Sequence, residues 1–69
     1  MKKINIKFGD RQISIDENTT LEDFLKNQMV DTRNLATSVN ADFVLKDKRK
    51  DKVLKEMDHI NIFGPITGG

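Results

Sequence analysis

Residues 3–8 alternate, with Ile4, Ile6 and Phe8 on one side and Lys3, Asn5 and Lys7 on the other. This period of two belongs to a strand with one buried face. The alternation resumes at Ile13 and Ile15, with Gln12, Ser14 and Asp16 outward. Only a short Gly9-Asp10 turn separates the two runs, so they read as a β-hairpin. At "ENTTLEDFLKNQM" the period changes. Leu21, Phe24, Leu25 and Met29 fall at i, i+3, i+4 and i+8, one face of an α-helix. Thr19 or Thr20 supplies the N-cap, since Thr19 with Glu22 and Thr20 with Asp23 both have capping-box spacing. Glu22 and Asp23 also suit the positive end of the helix. Gln28 takes the i+7 slot, which narrows the apolar stripe and predicts a short helix.

The second half is less regular. Leu35, Thr37 and Val39 alternate with Ala36 and Ser38, and Asn40-Ala41-Asp42 supplies turn chemistry before an extended return. "KDKRKDK" (46–52) contains no apolar residue and predicts a solvated loop. Val53-Leu54 forms a small apolar plug, followed by the polar turn 55–58. In "HINIF", Ile60 and Ile62 share one face, with His59, Asn61 and Phe63 on the other. The order of elements predicts an α+β roll, a mixed sheet of four to five strands covered by one main helix. Pattern alone leaves the place of the last strand open. A right-handed crossover from the hairpin through the helix to a parallel partner is the conventional solution.

Composition narrows the chemistry. A chain of 69 residues forms one domain with a small core. The absence of cysteine removes disulfides and thiolate chemistry, and one histidine leaves no zinc or iron–sulfur ligand set. Twelve basic and eleven acidic residues give a net charge of +1, with no general attraction to nucleic acid. No signal-peptide core and no membrane-length apolar run is present, so a cytoplasmic protein without a membrane partner is expected. Five basic and two acidic residues give Lys46–Lys52 a local charge of +3, a solvated loop or a docking patch for an acidic surface. His59 reads as an outer strand residue with no nucleophile beside it. Asp10, Asp16 and Glu17 form no pair spaced for acid–base work.

The segments "INIKFGDRQISI", "TTLEDFLK", "ATSVNADFV" and "VLKEMDHINIF", running in order into "GPITGG", resemble the ThiS/MoaD family of small sulfur carriers. The resemblance implies a ubiquitin-like β-grasp domain over residues 1–63 and a flexible tail over 64–69. It departs at two turns: the family usually has Asn-Gly where Asn40-Ala41 stands, and Gly-Asp where Met57-Asp58 stands. It further implies a protein cosubstrate rather than an enzyme, with no cofactor of its own and monomeric when free. The Gly69 carboxylate would be adenylated by a ubiquitin-activating-type, ATP-using adenylyltransferase. It would then become a thiocarboxylate, with sulfur from a donor such as a cysteine desulfurase system. The acceptor would be a thiazole-synthase-like enzyme of thiamine formation. Alternatively, the chain would be a molybdopterin-synthase small subunit acting with that enzyme's large subunit, or a carrier for another sulfur metabolite. From other classes, a TGS-like RNA- or protein-binding module and a ubiquitin-like modifier stand as rivals.

The chemistry of such a tail explains its composition. A carboxylate is a poor electrophile, and its mixed anhydride with AMP is one that sulfur can attack. The carboxylate must reach the nucleotide at a near-attack distance of about 3–3.5 Å. Gly68 and Gly69, lacking Cβ, permit the close backbone approach this needs. Pro65 cannot donate to a ladder and restrains Gly64 to extended conformations, so it ends the strand. Pro65, Ile66, Thr67, Gly68 and Gly69 together span about 17 Å when extended. Ile66 would anchor in an apolar channel. Phe63, if Ile60 and Ile62 face the helix, either faces solvent beside the tail as an interface anchor or packs under Val53-Leu54 or the tail.

Overall fold

The computed structural model describes residues 2–64. Strands β1 (Lys3–Phe8) and β2 (Arg11–Asp16) form the hairpin, with Ile4 opposite Ile15 and Ile6 opposite Ile13. Helix α1 (Leu21–Asn27) follows, then β3 (Ala36–Val39), β4 (Asp42–Val44), a 3₁₀ helix (Lys46–Asp51) and β5 (His59–Phe63). The sheet order is β2-β1-β5-β3-β4. The last strand thus lies at the centre, parallel to β1 and antiparallel to β3. The four to five strands expected are five, in a mixed sheet covered by one main helix.

The alternation explains the packing. Ile4, Ile6, Val39 and Ile60 point from the sheet into a core completed by Leu21, Phe24 and Leu25 of the helix and by Leu54. Phe8 meets Phe24 edge to face, with centroids 5.1 Å apart and planes at 89°, the arrangement favoured by the ring quadrupoles. Leu54 alone is the apolar plug. Val53 stays 41% exposed and forms an isolated bridge with Thr20.

The helix start is decided by hydrogen bonds. Thr20 is the N-cap, its Oγ1 accepting from the Asp23 amide at 3.2 Å. The Thr19 hydroxyl is engaged elsewhere, donating to the Asp16 carbonyl. The helix end corrects the predicted stripe. Met29 does not join the apolar face but is 92% exposed. Helix α1 stops at Asn27, and Met29 enters the left-handed region with φ 58. Its amide bonds to the Lys26 carbonyl while that of Val30 bonds to Leu25. These two bonds define a Schellman motif, in which the left-handed position is usually glycine.

The predicted solvated loop at 46–52 also needs correction. Most of it is a 3₁₀ helix, and Arg49 is 4% exposed. Its Nε donates to Thr37 Oγ1 (3.1 Å), Nη1 to the Thr32 carbonyl (3.2 Å) and Nη2 to the Leu35 carbonyl (2.6 Å). A charge run reads as solvated by composition, and it hid one member whose guanidinium collects three inward acceptors.

Both turns that depart from the family pattern carry a strained residue. Ala41 has φ 72 in the two-residue β3–β4 turn, and Met57 has φ 69 before β5. A left-handed conformation costs an L-residue roughly 1–2 kcal/mol, partly offset because glycine loses more freedom on folding. Met29→Gly, Ala41→Gly and Met57→Gly are each therefore expected to stabilise the domain by about 0.5–1 kcal/mol. Urea unfolding checks this, and a lower midpoint for the glycine variants would contradict it.

Candidate functional site

Strand β5 carries the chain toward the predicted reactive end. Strand β1 pairs with its first two residues, His59 and Ile60, while β3 pairs with Ile60 through Phe63, so its exit is held by β3. Gly64, just past the strand, has φ 139, a conformation that residues with side chains rarely adopt. Pro65, Ile66, Thr67, Gly68 and Gly69, the predicted tail and its carboxylate, lie outside the described residues.

Phe63 is the last residue of β5 and sits on the sheet face away from the helix, opposite Ala36 of β3. It is 47% exposed, on the face opposite the core that Leu54 joins. It packs instead against Phe43 of β4, with centroids 5.7 Å apart and planes tilted by 56°. Phe43 is itself 71% exposed. The intervening strand makes this possible. Ser38 of β3 lies opposite both Asn61 and Phe43, and its small side chain leaves room above the sheet for the two rings.

The outward direction of Phe43 is set by strand pairing rather than by its own segment of sequence. Thr37 points inward and pairs with Val44, so the preceding residue of β4 must point outward. Apart from Ala36, opposite Phe63, the neighbouring strand positions on this face are polar. Lys3 and Asp16 form an ion pair at 2.6 Å that holds the Asp16 carboxyl below its ordinary value. His59 Nε2 lies 2.8 Å from the Gly9 carbonyl oxygen. Because a carbonyl only accepts, that nitrogen carries the proton, and His59 serves as a strand residue tied to the hairpin turn. The aromatic pair is thus an apolar island on a polar face, at the point where the chain leaves the sheet.

The supporting loops are pinned by polar contacts. Asn40 Nδ2 donates to Asp58 Oδ1 at 2.8 Å, while Asn40 Oδ1 accepts from the His59 amide at 3.0 Å. The β3–β4 turn is thereby locked to the start of β5. In the 31–35 loop, Arg33 donates to both carboxylate oxygens of Asp31 and holds that carboxyl down at about 2. Among the described residues, no group of three His, Cys, Asp or Glu side chains could hold a metal ion. No helix among them is long and apolar enough to cross a membrane.

The ThiS family model matches residues 2–69. No curated protein matches the chain. Among solved structures, the crystal structure of a thiamine biosynthesis protein (ThiS) from Geobacter metallireducens superposes with a TM-score of 0.81. That match covers 96% of this chain and 100% of the other, at 14% sequence identity. At that identity the likeness carries the β-grasp fold alone.

Proposed function

The chain belongs to the ThiS family, whose members are small sulfur carriers rather than catalysts, and on that premise we propose that it carries sulfur for thiamine thiazole formation on the Gly69 carboxylate. The observation that supports this most is the family match, which runs from residue 2 through Gly68-Gly69.

The proposed sequence has two chemical steps. A carboxylate oxygen of Gly69 attacks the α-phosphate of ATP in a partner adenylyltransferase, forming an acyl adenylate and releasing pyrophosphate. A hydrosulfide equivalent from the sulfur donor then attacks the acyl carbon and displaces AMP, leaving a thiocarboxylate. Its sulfur passes to the acceptor synthase. This chain supplies no acid or base to either step. Its contributions are the acyl group and the surface by which partners hold the domain while the tail reaches their sites.

The Phe43–Phe63 pair is the proposed contact. Exposed aromatics ringed by polar groups anchor interfaces, because docking removes a large apolar area at little conformational cost. Its place at the end of β5 makes one docking event position both domain and tail. Phe43→Ala and Phe63→Ala are expected to weaken adenylyltransferase binding by on the order of 1–2 kcal/mol each. Unchanged affinity with lowered thermal stability would assign the pair to packing instead.

Intact-mass analysis of the protein from its native host tests the proposal as a whole. An oxygen-to-sulfur increment confined to Gly69 is the expected result. A branched peptide joining Gly69 to a lysine would replace the carrier reading with that of a protein modifier.

A further inference from the structure

A second feature lies between α1, the 28–35 connection and the 3₁₀ helix. There a cavity of ≈ 90 Å³ has Glu22, Lys26, Thr32, Lys46 and Arg49 as its polar lining, with Leu25 and Val30 apolar. Three cations and one carboxylate give this lining a formal charge of +2. Arg49 is the buried member, at 4% exposure. Its three hydrogen bonds use three of five guanidinium N–H donors and leave two.

All three of those bonds go to uncharged oxygens. Neither of the two ion pairs among the described residues involves Arg49, Lys26 or Lys46. A buried charge is ordinarily paired, because its desolvation is costly without a counter-charge. Glu22, the sole carboxylate in the lining, makes no ion pair within 4.0 Å with any of the three cations. The site therefore has surplus positive charge, spare planar donors and a space to put an acceptor.

Size decides the class of ligand. The volume of ≈ 90 Å³ exceeds the roughly 30 Å³ share of one water molecule in the liquid. It falls well short of the roughly 300 Å³ at which pockets for larger organic ligands begin. A guanidinium with two spare N–H donors, sharing a lining with two lysines, suits an oxyanion in charge and in donor type. We propose that this cavity binds a tetrahedral oxyanion of the phosphate class, held by Arg49 with Lys26 and Lys46. Its occupation would neutralise the buried guanidinium and tie α1 to the 3₁₀ helix, stabilising the folded domain by mass action.

Titration of the ¹⁵N-labelled protein with inorganic phosphate, at constant ionic strength set with sodium chloride, tests this. The expected result is a saturable shift of the Arg49 Nε–H and of the Thr32 and Lys46 amides, with a midpoint in the millimolar range or below. Lys26→Gln and Lys46→Gln, both at exposed positions that leave the fold intact, are each expected to raise that midpoint at least threefold. A parallel titration with glycerol phosphate separates the two sources of this chemistry. Comparable affinity assigns the site to phosphoryl groups on larger molecules, and exclusion of the ester assigns it to the free ion. Shifts that grow linearly without saturation, or a midpoint unmoved in the Lys26→Gln/Lys46→Gln double variant, would overturn the proposal.

Discussion

Arg49→Ala is expected to lower the stability of the domain by about 3 kcal/mol, which is a large share of what it has. A domain of this length holds roughly 3–10 kcal/mol in total. The substitution removes three charge-assisted donors at once, leaving the Leu35 carbonyl without its partner, the Thr32 carbonyl with only the Leu35 amide at 3.3 Å, and Thr37 Oγ1 without the Nε–H it accepts. Those acceptors sit on the loop before β3 and on β3 itself, so their loss frees the connection between helix and sheet. Arg49→Lys is expected to recover little. An ammonium is a compact point charge, and it cannot reach three acceptors arranged around a planar fork. The measurement is the urea midpoint of both variants against the parent chain. A loss below about 1 kcal/mol in Arg49→Ala would mean the side chain is solvated in the manner of its charged neighbours.

Arg49 also marks where the sequence stops being legible. The hairpin and the first turns of α1 could be read because one period governs each, and the buried sets Ile4, Ile6 and Leu21, Phe24, Leu25 fall out of counting. The helix end could not. Met29 sits on the right phase, but the chain turns left-handed there, and no glycine announces it. Lys46–Lys52 failed for a different reason. Composition describes a run, whereas burial is decided residue by residue according to which acceptors a side chain meets. Those acceptors lie 12 to 17 residues away, on segments whose position the pattern leaves open. The central place of β5 is likewise a matter of long-range pairing. For the candidate site, the outward parity of Phe63 was readable within its own strand. Its partnership with Phe43 was not, since it requires knowing that β5 and β4 both flank β3.

Appending one alanine after Gly69 is expected to reduce adenylation by the partner enzyme by at least about 10²-fold, and to leave the fold unchanged. An added residue displaces the terminal carboxylate by up to roughly 3.3–3.6 Å. That displacement is as long as the whole near-attack distance of about 3–3.5 Å, and a misplacement of about 1 Å alone costs on the order of 10²-fold. Drawing the tail back by the same amount would require the Phe43–Phe63 contact to shift along the partner, which a docked pair of rings resists. Gly69→Ala tests the other half of the proposal. It keeps the carboxylate in place and adds a Cβ where close backbone approach is needed. Pyrophosphate release on mixing chain, ATP and adenylyltransferase reads both variants, and circular dichroism with the urea midpoint confirms that each is folded. Both tail variants leave Phe43 and Phe63 untouched, so each should still compete with the parent chain for the enzyme. Full adenylation of the extended chain would remove the Gly69 carboxylate from the mechanism, whereas loss of competition would place the defect in docking.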